Sequence, residues 1–347
     1  MQGTIGEFLR DCEAADFGER ELSNVEATFY RRFGNEILSL CRSLPASAQT
    51  DAILFLMSYS GTKLGENPDF FANYYPPIWS ILYRLSHEPG LPTGLLTEAD
   101  VTDAVATQSM AMFLHSLDDH LVDGQVSVTP LTLLLRSRAW TVMNNAAHNM
   151  AGRVGQGEET VRRFLDDYYS GFQDSEQPKT LDDYCDLFRR QMAIVMIAPV
   201  LLSMKMTGNS DFARDIEIAF GSFGIAWRLL DDIRDIREDM EKGAKSSVYL
   251  CLSETIRTHW NRSTVGDRTG TQDSANVVLG HILEHGLVDS IRERICTELD
   301  SAASLVEVHN MRGLAGEFRC LAQPLKNRLN SRIEDNGRLG IASTSER

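Results

Sequence analysis

The sequence predicts an all-α protein, one large domain of packed helices. Apolar/polar alternation at period two, the mark of strands, persists nowhere in the 347 residues. Apolar residues spaced three and four apart recur almost everywhere. The breaks between such stretches carry Pro, Gly, Asn or Asp. No internal repeat or long linker divides the helices, so residues 1–333 read as a single domain. With 43% hydrophobic residues, that length supplies a substantial core. Residues 334–347, "EDNGRLGIASTSER", read as a disordered tail.

In order, helices are expected over 5–15, 23–43, 49–63, 77–86, 97–123, 129–151, 157–173, 180–207, 211–242, 246–260, 274–286, 289–309 and 312–333. The separators are "HEPGLPTG" at 87–94, "DSEQPKT" at 174–180, "TGNSD" at 207–211 and "NRSTVGDRTGTQD" at 261–273. The last is long and polar, the mark of a mobile surface loop. In the helix over 211–242, Phe212, Ile216, Ala219, Phe223, Ala226, Leu230, Ile233 and Ile236 form a core-facing stripe. In the helix over 97–123, Ala106, Met110, Phe113, Leu117 and Leu121 form another, and Met112 and Leu114 add apolar bulk on other sides. That helix is expected to be buried on more than one face.

Composition narrows the function. The net charge of −15 argues against nucleic acid and anionic membranes as partners, yet leaves room for a small anion held through metal ions. The six cysteines are scattered, with no Cys/His cluster, which suits core thiols in a reducing cytoplasm. The N-terminus lacks the pattern of a signal peptide. The longest apolar run, "MAIVMIAPVLLSM" from Met192 to Met204, is too short to span a bilayer and holds a proline.

Two acidic stretches carry chemistry. "WRLLDDIRDIREDMEKG" puts Asp231, Asp232, Asp235 and Asp239 on one helix. At about 100° per residue they fall at about 0°, 100°, 40° and 80°, a narrow stripe. Like charges four apart oppose the helix by a few tenths of a kcal/mol per pair. Arg234, Arg237 and Lys242 could neutralise a merely solvated face, but the stripe begins directly on core-facing Leu230. Upstream, "MFLHSLDDHLVDGQ" puts Asp118, Asp119 and Asp123 at the C-terminal end of a buried helix closed by Gly124. There the macrodipole works against carboxylates. In both places a cation would offset what local structure opposes. Oxygen ligands favour Mg²⁺, held by carboxylates and substrate phosphates. His120, among the aspartates, reads as a support or core residue, and no His/Cys set for zinc is present.

The two clusters resemble the aspartate-rich motifs of the class I isoprenoid synthase superfamily. "DDHLVD" resembles the first motif. "DDIRDIRED" resembles the second: Asp231, Asp232 and Asp235 match the DDxxD of prenyl diphosphate synthases, and Asp231, Asp235 and Asp239 fall at the three ligand positions of the cyclase motif. The likeness covers roughly residues 50–330. It implies a class I terpenoid synthase-type helical bundle around a central apolar cavity, with three Mg²⁺ ions bridging the aspartates to a prenyl diphosphate. It also implies ionisation to an allylic cation inside an apolar wall, and leaves room for a homodimer.

Four elements by which chain-elongating members hold a second diphosphate are altered. "SGTKLGENP" at 60–68 is a distant echo of Gly-Gly-Lys-x-x-Arg-Pro, and "GQVSVTPLTLL" stands where Arg-Arg-x-x-Gly is expected. Trp227-Arg228 replaces Phe-Gln, and "KGAKSSVY" replaces Gly-Lys-x-x-x-Lys-Asp. The expectation is therefore a class I terpene synthase, with a prenyltransferase as the alternative. The non-standard motifs resemble bacterial cyclases of the sodorifen-synthase kind. "RDIREDMEKG" also resembles the squalene/phytoene branch, and a catalytically silent helical protein stands as a third reading.

The cyclase resemblance adds a diphosphate-sensing arginine before a helix break. In "LFRRQMAIVMIAPVLL", Pro199 frees the carbonyl of Val195, which would face the cation, with Arg190 and then Arg189 as the sensor. A proline kink with two surface arginines is the plainer reading. Arg234, Lys245, Arg312 and Arg319 are further candidate diphosphate contacts. Phe113, Phe223 and Trp227 are candidates for lining the cavity, or simple core residues.

Overall fold

The structure, a computed structural model, describes residues 2–63, 69–92, 94–173, 177–208, 210–264 and 271–342. Among them it has helices and no strand, as the periodicity predicts. The first seven helices are α1 (Gln2–Glu13), α2 (Asn24–Arg42), α3 (Ala46–Tyr59), α4 (Pro77–His87), α5 (Glu98–Val122), α6 (Pro130–Ala151) and α7 (Gly157–Gln173). Then come α8 (Leu181–Gln191), α9 (Ala193–Thr207), α10 (Ser210–Arg234), α11 (Ile236–Lys242) and α12 (Ser247–Cys251). The chain closes with α13 (Glu254–Arg262), α14 (Thr271–Glu284), α15 (Leu287–Val308) and α16 (Arg312–Ala342).

The starts follow local chemistry. Ser23, Thr97, Thr129 and Thr180 cap α2, α5, α6 and α8, each in a reciprocal box with the residue three further on. Gly208 and Gly243 end α9 and α11 in the left-handed region that a side chain resists.

Helix α9 is the hub. Its apolar sequence is buried nearly throughout, and it packs on α5 and on α10. Helix α5 lies against α6 on its other side, and α10 against α15, which packs on α16. The stripe from Phe212 to Ile236 is buried at every position named above. Burial of α5 also runs all round: Met110, Met112, Phe113, Leu114 and Leu117 are each 0% exposed.

Four expectations are corrected. The helix over 180–207 is two helices, bent by 67° at Met192 rather than at Pro199. Pro199 sits inside α9, which continues through it because dense packing holds the turn that the missing N–H weakens. The helix over 211–242 breaks at Asp235, and the one over 246–260 becomes α12 and α13. Helix α16 runs on to Ala342, past residue 333 where the last helix was expected to end; residues 343–347 of the expected tail lie outside the described residues. So do 265–270 of the expected mobile loop and 64–68 of "SGTKLGENP". No single described helix is long and apolar enough to cross a membrane, and only the bent pair α8–α9 passes the test of length and composition. The cysteines are free thiols, four of them buried.

Candidate active site

Each acidic cluster divides into a buried, anchored aspartate and others that are half-buried or, for Asp123, exposed. Asp118 is 7% exposed. Its oxygens accept from Arg136 of α6, Nε at 2.5 Å and Nη2 at 2.8 Å, and from the Tyr168 hydroxyl of α7 at 2.7 Å. A fork of two parallel N–H donors is the strongest common way to fix a carboxylate. Asp232, 3% exposed, accepts from the Tyr184 hydroxyl of α8 at 3.0 Å and from the Ser247 N–H at the start of α12 at 2.8 Å. Arg228 Nε stands 3.3 Å from it.

The remaining aspartates have few such partners. Burial and the neighbouring charge of Asp119 push the Asp123 carboxyl up. Burial and Asp235 push Asp231 up to about 6, and burial and Asp232 push Asp239 up to about 7. Asp235, at the break between α10 and α11, is raised by burial and Glu238. These are carboxylates held close together and short of positive charge.

The two clusters lie close enough for charge to act between them. Arg228 exerts its charge on Asp231, Asp235 and Asp239 of the second and on Asp123 of the first, and Asp119 acts on Arg228 in return. Lys242 of α11 reaches Asp123 in the same way. Among the described residues no three His, Cys, Asp or Glu side chains come together closely enough to hold a metal ion by themselves. The donor set is hard oxygen, which suits Mg²⁺ when phosphate or water completes the shell.

The other predicted residues divide. Trp227 packs edge-on against Tyr74 at 5.7 Å, and Tyr74 in turn binds Ser116 of α5 at 2.6 Å, so these rings bridge the helices of the two clusters. Phe223 stacks with Phe220 at 5.8 Å and Phe113 meets Phe70 edge-on at 5.6 Å; both are 0% exposed and pack against other rings. Arg234 lies at the edge of the second cluster, 3.4 Å from the Tyr75 hydroxyl. Lys245 lines a groove of about 380 Å³ with Lys179, Tyr249 and Arg257. Arg190 lines a neighbouring groove of about 340 Å³ with Lys179, Asp183 and Asp186. Arg189 instead pairs with Asp186 at 2.6 Å. Arg319 pairs with Glu307 on an exposed face of α16, and the charge of Arg312 also acts on Glu307. None of these three contacts involves either acidic cluster.

The carbonyl at the observed bend is that of Gln191, not Val195. It accepts from His115 Nδ1 of α5 at 3.1 Å. His115 is 6% exposed, and burial depresses its pKa. His120 binds the Tyr59 hydroxyl at 2.6 Å, in keeping with a supporting role. Sequence reasoning missed Arg136, Tyr168, Tyr184 and His115, whose partners lie far away in the chain. It also passed over Arg228, although an arginine four before Asp232 is a readable pair.

No protein-family model and no curated protein matches the chain. Solved structures do. Geranylgeranyl pyrophosphate synthetase from Pyrococcus horikoshii superposes with a TM-score of 0.60 at 11% identity, over 93% of this chain and 98% of that one. Polyprenyl synthetase from Streptomyces coelicolor gives 0.61 at 13%, over 85% and 97%. Geranylgeranyl pyrophosphate synthase from Corynebacterium glutamicum, complexed with isoprenyl diphosphate and magnesium, gives 0.59 at 15%, over 86% and 99%. The fold is the all-α fold of these prenyl diphosphate synthases. The matches overturn the expected terpene cyclase and its sodorifen-synthase-like variant. The altered basic elements are side-chain features of loops and helix ends, whereas the backbone follows these synthases over nearly their whole length.

Proposed function

We propose that the protein is a prenyltransferase that joins prenyl diphosphates with the help of divalent cations. The observation that carries this reading is the pair of aspartate clusters, on helices bridged by Trp227, Tyr74 and Ser116, in a bundle that has the prenyl diphosphate synthase fold. In the proposed reaction the allylic C–O bond breaks, inorganic diphosphate leaves, and the allylic carbon bonds to the alkene of isopentenyl diphosphate. A proton is then lost to restore the double bond.

Asp119, Asp123, Asp231, Asp235 and Asp239 are the proposed metal ligands, with Asp118 and Asp232 retained as the inner members of each motif. Bound Mg²⁺ would neutralise the diphosphate and make it a better leaving group. Two dianionic groups facing five carboxylates would otherwise repel by several kcal/mol per close pair at an effective dielectric of about 20. Lys245, with Lys179 and Arg190 nearby, is a proposed contact for a second diphosphate, since the usual basic elements are altered. Trp227 and Tyr74 would offer ring faces to the allylic cation and exclude water from it.

The test is direct. The protein is incubated with Mg²⁺, isopentenyl diphosphate and C5, C10, C15 or C20 allylic diphosphates, and products are analysed by mass spectrometry. The expected result is a longer prenyl diphosphate with release of inorganic diphosphate. Turnover that leaves isopentenyl diphosphate unconsumed would refute the proposal.

A further inference from the structure

His281 and His285 stand one helical turn apart where α14 runs into α15. Their ring centres are 4.0 Å apart, and the rings lie 29° from parallel. His285 follows the last residue of α14, yet its N–H still bonds the His281 carbonyl at 3.1 Å, so the helical spacing holds through the pair. Residues four apart on a helix share a face. Gly286, at a φ of 60°, then turns the chain into α15. His281 is half-buried and His285 is exposed, so the pair opens to solvent.

The tautomer of His285 is also set. Its Nδ1 lies 3.0 Å from the same carbonyl, which can only accept. The proton of the neutral ring therefore sits on Nδ1, and Nε2 keeps its lone pair. Metal-binding histidines use this arrangement: one ring nitrogen donates to a carbonyl and the other is left for the ion. His87 makes a similar contact, to the Tyr83 carbonyl at 3.1 Å, but the ring stacked on it is a phenol. His148 and His309 meet carboxylates instead, those of Glu158 and Asp215.

We propose that His281 and His285 form a two-point chelating site for a transition-metal ion that prefers imidazole nitrogen, of the Zn²⁺ class. Two histidines four apart on one helix face are a recurring bidentate pair. Water completes the shell, since no third protein ligand is needed for a surface chelate. The site differs in kind from the acidic clusters: imidazole suits zinc, nickel and copper, whereas carboxylate oxygen suits Mg²⁺. A bound ion would staple the last turn of α14 just before the chain turns at Gly286.

The experiment uses the full chain in excess Mg²⁺, which fills oxygen sites. Zn²⁺ is titrated by calorimetry into wild type, H281Q, H285Q and the control H87Q, whose exposed ring has no imidazole stacked on it. Wild type and H87Q should bind Zn²⁺ alike. H281Q and H285Q should each lose at least about tenfold in affinity at one site, because the second ligand on the same turn acts at high effective concentration. No Zn²⁺ binding, or equal binding in all four proteins, overturns the proposal. Should a variant fail to fold, wild type supplies the second measurement. Diethyl pyrocarbonate acylates free imidazole nitrogens, and the modified peptides are read by mass spectrometry. Zn²⁺ should shield His281 and His285 and leave His87 as reactive as before. Equal labelling of the pair with and without Zn²⁺ overturns the proposal.

Discussion

The hydroxyl of Tyr168 lies 2.7 Å from Asp118 Oδ2, inside the bundle and beneath the first acidic cluster. The contact ties α7 to the end of α5 where carboxylates crowd. Tyr168→Phe removes a donor from a buried acceptor and should lower the unfolding free energy by about 1–3 kcal/mol. Turnover measured well below the melting temperature should change far less, since Arg136 still holds the carboxylate. Urea unfolding of the variant checks the first part, and an unchanged midpoint would show that the phenol contributes nothing.

Asp231 and Asp232 are adjacent, yet their replacement should have opposite consequences. Asp231→Ala should cut turnover by orders of magnitude and leave the melting temperature unchanged or higher, because it relieves repulsion from Asp235. Asp232→Ala breaks a buried pair and should cost about 3–5 kcal/mol of stability. Melting curves of both variants decide it. Equal stability losses would contradict the division of the cluster.

Stability should also respond to pH in a definite direction. Asp231 is raised to about 6 and Asp239 to about 7 in the folded protein. In the unfolded chain both titrate near about 3.9. Between those limits the folded state binds more protons, so unfolding free energy falls as pH rises from about 4 to 7. Without metal, these two groups should make the melting temperature climb as the pH is lowered from about 8 to 5. The climb should be smaller in Asp231→Ala, and an identical pH profile in that variant would refute the assignment.

Arg319→Ala should leave both melting temperature and turnover within error. Its guanidinium meets Glu307 on an exposed face, where ion pairs contribute little. A large loss of activity would restore it as a substrate contact.

Much of this was legible in sequence, for a physical reason. The stripe from Phe212 to Ile236 is a one-dimensional record of burial, so the fold class and the face of α10 could be read from spacing. The acidic stretches could be read because they oppose their own helices. The bend at Met192 could not, since no glycine or proline marks it and Pro199 lies further on. The bend is defined by tertiary partners: His115 takes up the Gln191 carbonyl, and a side chain on Gly224 would meet the Met192 sulfur at 2.6 Å. The anchoring tyrosines likewise come from helices distant in sequence, and nothing local distinguishes Tyr168 from Tyr169. The expected cyclase failed because altered motifs record which local contacts have changed, not which backbone carries them.

The anchored pair Asp118 and Asp232 has a consequence for how this protein can change over generations. The residues that keep the bundle end in shape are not the ones proposed to grip the ions. A lineage could exchange Asp119, Asp123 or Asp235 one at a time and still inherit a well-folded chain. Mutational drift there would silence or redirect the chemistry without leaving a scar in the scaffold. Drift at Asp118 or Asp232 would be purged as a folding defect before any change in chemistry could be tried.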